Sequence, residues 1–166
     1  MRNSLLAAVA LALMGCDGKV EHKLTLAAME HGVKPGTVMP STAVRCLEGA
    51  PRQVGAAGKL QIVTFATPYD CSSCTPHMAG VPRVLRRMNS THDAFTVVWA
   101  PNPKVAERSL GRAKSALPVC MNDDGSLWDR HDILHTPFTV VLDDGRVVYS
   151  NDATFTNPRS ERAFEA

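Results

Sequence analysis

Cys71 and Cys74, separated only by Ser72 and Ser73, are the side chains whose type and spacing most directly suit chemistry. Thiols so spaced can close into a disulfide and reopen, passing two electrons to a second disulfide or taking them from a second dithiol. The segment before them, Leu60 to Phe65, reads as a buried strand, and beyond them Met78, Val81, Val84, Leu85 and Met88 recur at helical intervals. The pair is therefore expected at a helix N-terminus. There the unpaired backbone N–H groups and the positive end of the helix dipole favour an anion, so the outer cysteine, Cys71, should shed its proton more readily than a free thiol. Asp70, directly before Cys71, adds a negative charge that opposes this.

The other cysteines are Cys16, Cys46 and Cys120. Cys16 closes a segment in which Arg2 supplies a positive start and Leu5 to Met14 a short apolar run, the pattern of a targeting signal. That run is too short to span a bilayer as a helix. Leu13-Met14-Gly15-Cys16 resembles a bacterial lipobox, which implies that Cys16 becomes the lipidated first residue of the mature chain. Asp17 resembles the signal that holds lipoproteins at an inner membrane. If Cys16 carries lipid, four cysteines remain, an even number that suits an oxidising compartment. Cys71 and Cys74 are the evident pair. Cys46 and Cys120 both lie in short apolar runs, and two readings stand for them: a structural bridge, or two small buried hydrophobes.

At 166 residues and 45% hydrophobic content the chain is long enough for one domain with a substantial core. Its 18 basic and 16 acidic side chains are well mixed, which excludes the concentrated basic stripe of a nucleic-acid binder. Arg83, Arg86 and Arg87 fall on the polar side of the helix after the dithiol and read as a solvated face. The acidic run Asn122-Asp123-Asp124-Gly125-Ser126 lacks the end ligands of an EF-hand, so a turn leading into a short helix is expected. His77, His131 and His135 read as surface histidines in the absence of a third ligand of clear identity.

Glycines and prolines between residues 17 and 40 suit a tether. Strands are expected at Ala43 to Leu47 and Arg52 to Val54, forming an N-terminal hairpin, then at Leu60 to Phe65. The helix after the dithiol should be kinked or divided by Pro82. Phe95 to Trp99 reads as a strand, Pro103 to Ser115 as a helix and Val119 to Met121 as a short strand, which calls for parallel crossovers. Phe138 to Leu142 and Arg146 to Ser150 flank Asp143-Asp144-Gly145, a hairpin signal, and Pro158 to Glu165 reads as a closing helix capped by Thr156 or Asn157.

This element order, with the dithiol after the first central strand and Thr136-Pro137 just before the terminal hairpin, resembles the thioredoxin superfamily over roughly residues 40 to 166. The resemblance implies an α/β fold of the thioredoxin type, a central mixed sheet flanked by helices with an N-terminal β-hairpin extension. It divides the chain into a signal segment at 1–16, a tether at 17–40 and a thioredoxin-like domain at 41–166. It implies that Pro137 is cis and lies against the dithiol, that Thr136 offers backbone groups to an extended substrate, and that Tyr69 partly replaces the aromatic lid that many such proteins place before the dithiol. The hairpin, the added strand near Val119 and the anchor resemble the periplasmic membrane-anchored branch. That implies a thiol-disulfide oxidoreductase with Cys71 attacking and Cys74 resolving, acting without a cofactor on protein thiols and disulfides. A membrane electron donor and a monomeric state are expected with it. His135, before Pro137, also resembles the histidine ligand of the Sco copper chaperones, for which Cys71, Cys74 and His135 would hold copper. The Sco cysteines are separated by three residues rather than two, and those proteins lack the proline present here as Pro137.

Overall fold

The structure, a computed structural model, describes residues 33–67, 74–110 and 117–151. In chain order the elements are β1 (Thr42–Cys46), β2 (Arg52–Val54), β3 (Leu60–Ala66), α1 (Cys74–Arg87), β4 (Asp93–Val98), α2 (Pro103–Leu110), β5 (Val119–Met121), α3 (Ser126–His131), β6 (Phe138–Asp143) and β7 (Arg146–Asn151). One mixed sheet orders them β2-β1-β5-β4-β3-β6-β7. β3 sits inside it, buried from Gln61 to Ala66, because its run of apolar and β-branched side chains has a layer to enter on each face. The parallel pairs β3/β4 and β4/β5 are joined by crossovers through α1 and α2, as parallel strands require. β6 returns antiparallel to β3 and turns into β7 at Asp144 and Gly145, whose positive φ values of 49° and 74° suit a two-residue hairpin turn.

Register divides the sheet into two faces. On one, β3 and its neighbours present three cross-strand rows to α1: Val141, Ile62 and Ala94; then Thr139, Thr64 and Thr96; then Ala66, Val98 and Met121. α1 answers with a buried stripe at Cys74, His77, Met78, Val81, Val84 and Leu85. Val81 and Leu85 pack on Ile62, while Cys74 and Met78 pack in the cluster of Ala66, Val98 and Met121. The opposite face holds the larger core, in which Val63, Phe65, Phe95, Val97, Val140 and Leu142 meet Leu127, Trp128 and Ile133.

The N-terminal hairpin is present and joins the sheet through β1, antiparallel to β5. Arg52 of β2 pairs with Asp93 and lies over the Phe95 ring at 5.4 Å, and buried Gln61 donates to the Gln53 carbonyl at 2.8 Å. This tertiary support lets β4 begin at Asp93, ahead of the apolar run at Phe95 that the sequence marks. Of the two outcomes expected at Pro82, division does not occur: α1 runs through it from Cys74 to Arg87. The buried stripe continues on both sides of it, and the Arg83 guanidinium donates to the Ala79 carbonyl at 3.1 Å in the turn where proline removes a backbone donor. Met88 also departs from expectation: the helix ends at Arg87, Asn89 takes a positive φ of 49°, and Met88 is exposed.

Residues 33–40, which the sequence assigns to the tether, lie along the edge of β7. Gly36 N–H donates to the Val147 carbonyl at 2.7 Å, Val147 N–H to Thr37 at 2.8 Å and Met39 N–H to Gly145 at 2.8 Å, with Val33 and Met39 buried. The signal segment, the tether up to residue 32, the far end of the Pro103 to Ser115 helix and the closing helix at Pro158 to Glu165 lie outside the described residues.

Candidate active site

β3 ends at Ala66, and the next residue, Thr67, is joined side chain to side chain with Thr136, Oγ1 to Oγ1 at 2.8 Å. The strand end that leads into the dithiol segment is thus fixed against the loop before β6. The Thr136–Pro137 bond is cis and Pro137 is buried. An aromatic group supports this loop from the larger core: Trp128 meets Phe65 edge-on at 5.4 Å and Trp99 at 6.2 Å, and Phe65 stacks on Phe138 at 6.3 Å. Ile133 N–H donates to the Trp128 carbonyl at 3.1 Å and its side chain is buried, so α3 carries the loop with it. Leu134 and His135 stand exposed between Ile133 and Thr136, Leu134 at 60%.

The acidic run before α3 is a turn, as the sequence suggests. Asn122 Oδ1 accepts from Leu127 N–H at 2.9 Å, and Asp124 Oδ1 accepts from Ser126 N–H at 3.0 Å. That Ser126 bond holds the Asp124 carboxyl below its usual range. Gly125 is required here: its φ is 68°, and a Cβ would meet Trp99 Nε1 at 2.6 Å.

Cys74 is the first residue of α1, 4% exposed and disulfide-bonded, with a partner outside the described residues. It packs among Ala66, Met78, Val98, Ala100, Ala106 and Met121. Cys71, Asp70, Tyr69 and Cys16 lie outside the described residues.

His77 is not the surface residue the sequence suggests. It is fully buried on the α1 stripe, and its Nε2 lies 3.0 Å from Thr139 Oγ1, which is itself 3.0 Å from Thr64 Oγ1. Burial lowers its pKa to about 4 from the usual 6.5, keeping the imidazole neutral. The signal was available in the spacing, because positions 74, 77, 78 and 81 share one helical face. The threonine row above it was not, since strand register is set by pairing between distant segments. Thr96, third in that row, has its Oγ1 buried without a hydrogen-bond partner.

Cys46 and Cys120, directly opposite each other on β1 and β5, are joined by a disulfide and buried on the face away from α1. Of the two readings open for them, the bridge is the one present. His135 is exposed, and among the described residues no three His, Cys, Asp or Glu side chains gather as metal ligands. His131 is half-buried, and its pKa is lowered by burial first and by Arg130 second.

No protein-family model matches this sequence, nor does any curated protein. Solved structures do. The Chlorobium tepidum protein assigned as the thiol:disulfide interchange protein DsbE superposes with a TM-score of 0.67 at 14% identity, covering 81% of this chain and 94% of that one. StoA from Bacillus subtilis gives 0.59 at 17% identity, covering 77% and 99%. The pneumococcal exposed lipoprotein thioredoxin Etrx1, from Streptococcus pneumoniae, gives 0.62 at 14%, covering 75% and 96%. The chain has a thioredoxin-like fold. In this thioredoxin-like domain β3, α1 and the Thr136–Pro137 loop converge on the end of the sheet where the Cys-x-x-Cys segment begins. Among the described residues no helix is long and apolar enough to cross a membrane.

Proposed function

We propose that this protein is an extracytoplasmic thiol-disulfide oxidoreductase, anchored by lipid at Cys16, that exchanges disulfides with partner proteins through Cys71 and Cys74. The observation that most supports the reading is the hydrogen bond between Thr67, at the end of the strand before the dithiol segment, and Thr136 of the cis Thr136–Pro137 bond, with disulfide-bonded Cys74 at the head of the helix that follows. The names of the solved structures of like fold, thiol:disulfide interchange protein and lipoprotein thioredoxin, support it. A pair so close in sequence closes almost no loop and adds little as a staple, which favours a chemical role.

In the mechanism, the Cys71 thiolate attacks a client disulfide and forms a mixed disulfide. The Cys74 sulfur then displaces the client thiolate and closes the Cys71–Cys74 bond, and the same atoms run in reverse to oxidise a client. Thr136 pairs with an extended client segment through its backbone, with Tyr69 covering the dithiol. The signal segment at 1–16 and the tether that follows it set a monomeric domain above an inner membrane, within reach of a membrane electron donor. No cofactor takes part.

The test is reduction of a protein disulfide such as insulin, with a redox titration of the cysteines followed by alkylation and mass spectrometry. Cys71→Ser should abolish turnover, and His135→Ala should leave it intact. Full activity in Cys71→Ser would sink the reading. Copper bound by the wild type and lost in both variants would replace it with a chaperone reading.

A further inference from the structure

A groove lies at the end of α1 remote from Cys74, where the helix, the start of β4 and Arg52 of β2 meet. It encloses about 540 Å³. Its floor is apolar, with Pro82 and Leu85 from the helix, Ala94 from β4 and Leu117 from the chain ahead of β5. Its rim is polar: Arg86, Ser90, Thr91 and His92 come from the end of α1 and the loop after it, and Arg52 and Asp93 from the two strands.

Charge is mixed over the chain as a whole and one-sided here. From Cys74 to His92 the sequence has three arginines and no acidic residue. The carboxylate at the rim, Asp93, is already engaged: it pairs with Arg52 and accepts from Gln61 Nε2 at 3.2 Å. Arg52 gives one nitrogen to that pair, and a guanidinium carries five N–H donors, so the pairing does not exhaust it. Arg86 is exposed in the last turn of α1. The helix dipole puts about half a negative charge at that end, which the full charges of Arg86 and Arg87 exceed. Just beyond them Met88 stands 45% exposed, an apolar side chain turned to solvent beside the arginines.

A floor that accepts methylenes beneath a rim that accepts an anion matches a phospholipid at the water boundary of a bilayer. We infer that this end of α1 is a docking surface for an anionic bilayer, with lipid phosphate held by Arg86 and Arg52 and with Met88 entering the headgroup layer. An acidic peptide would answer the rim and leave the apolar floor wet. The inference rests on the anchored reading above, which puts a bilayer within reach of the domain. Cys74 lies at the other end of α1, whose 14 residues span about 21 Å at about 1.5 Å each. Docking by the groove therefore leaves the exchange end of the helix open to clients in solution.

The experiment uses the full chain with Cys16→Ser, so that no acyl group contributes, and sediments it with vesicles. One set is phosphatidylcholine alone, and the other is equal parts phosphatidylcholine and phosphatidylglycerol. Binding to the neutral set reports any pull from the apolar run at Leu5 to Met14, and the excess on the anionic set reports the docking surface. That excess should be about tenfold or more in affinity for two arginines at the surface, and raised salt should abolish it. Arg86→Glu should remove most of it, and Met88→Ser should lower it by a smaller factor. Arg130→Glu makes the same charge change on α3, at the opposite face of the sheet, and should leave the excess within about twofold. Equal losses in the Arg86 and Arg130 variants would overturn the groove as the site, and no excess before substitution would overturn the docking itself. A soluble glutamate-rich peptide that binds in place of the vesicles, and is lost in Arg86→Glu, would overturn it in favour of a protein partner. Insulin reduction by the same chain should be alike with and without vesicles. A chain that docks and does not reduce insulin would sink the dithiol reading and leave this one standing.

Discussion

Cys46 and Cys120 meet across two strands although 74 positions apart in the chain, whereas Cys71 and Cys74 are three positions apart, with Cys74 at the start of a helix. The first pair lies on the face that carries the aromatic core. Cys74 of the second belongs to the face where His77 and three threonines interrupt the apolar rows. Sequence separation explains much of the contrast. A cross-link over a long loop restrains the unfolded chain strongly, and one over two intervening residues scarcely restrains it. The cross-link at Cys46–Cys120 therefore serves stability, and the dithiol of the proposed function gains little stability from closing.

The largest effect should come from separating these roles. Replacing Cys46 and Cys120 together by alanine should lower the unfolding free energy of the oxidised protein by about 4 kcal/mol, the loop-entropy value for a cross-link of this span. Denaturant titration reads the change, and disulfide exchange by the folded variant should be unaffected. Loss of exchange in a variant that is still folded would erase the distinction between the pairs. The consequence should fall on the hairpin, since β1 meets β5 in register only at Arg45↔Met121 and Cys46↔Cys120. The remaining side-chain links of Arg45, to Asp123 and Glu107, are solvent-exposed ion pairs worth little each.

The next effect is on the dependence of stability on pH. His77 has a folded pKa of about 4 against 6.5 for an unrestrained histidine, so the unfolded chain binds a proton over this interval and the folded one does not. Its contribution is complete above about pH 6.5 and declines as pH falls through 4, by about 3 kcal/mol in all. His131 is lowered in the same direction, by burial first and Arg130 second. Thermal melts between pH 7 and 4 should therefore fall steeply in the wild type and less steeply in His77→Met. Identical slopes would mean that the imidazole is not held neutral by its surroundings.

The difference between the faces also governs what could be read from the chain. The order of elements along the chain, the parallel crossover, the terminal hairpin and Cys74 at the head of a helix were legible because each depends on local periodicity and turn residues such as Asp144-Gly145. That α1 continues through Pro82 was not legible, because the packing on either side that offsets its local cost belongs to the sheet. His77 was visible as a residue and invisible as a site. Its meaning comes from Thr139, 62 residues away, and from Thr64, 75 residues from Thr139. The start of the folded body was likewise hidden, since residues 36–39 are held by β7, more than a hundred residues later.

The smallest effect, and the sharpest on the polar face, concerns Thr96. Thr64 and Thr139 share a hydrogen bond, and Thr139 also meets His77, but the Thr96 hydroxyl is buried with no partner. A buried hydroxyl without a hydrogen bond carries its desolvation cost uncompensated, about 1–3 kcal/mol, whereas a partnered one does not. Thr96→Val keeps the β-branched shape and removes the orphan oxygen, so it should stabilise the protein by about 1 kcal/mol. Thr139→Val should destabilise it, because Thr64 and His77 each lose a partner. Opposite signs for two identical substitutions in one cross-strand row, read by denaturant titration, would show that the row is a directed chain ending at His77. Equal signs would reduce it to three threonines that share a face.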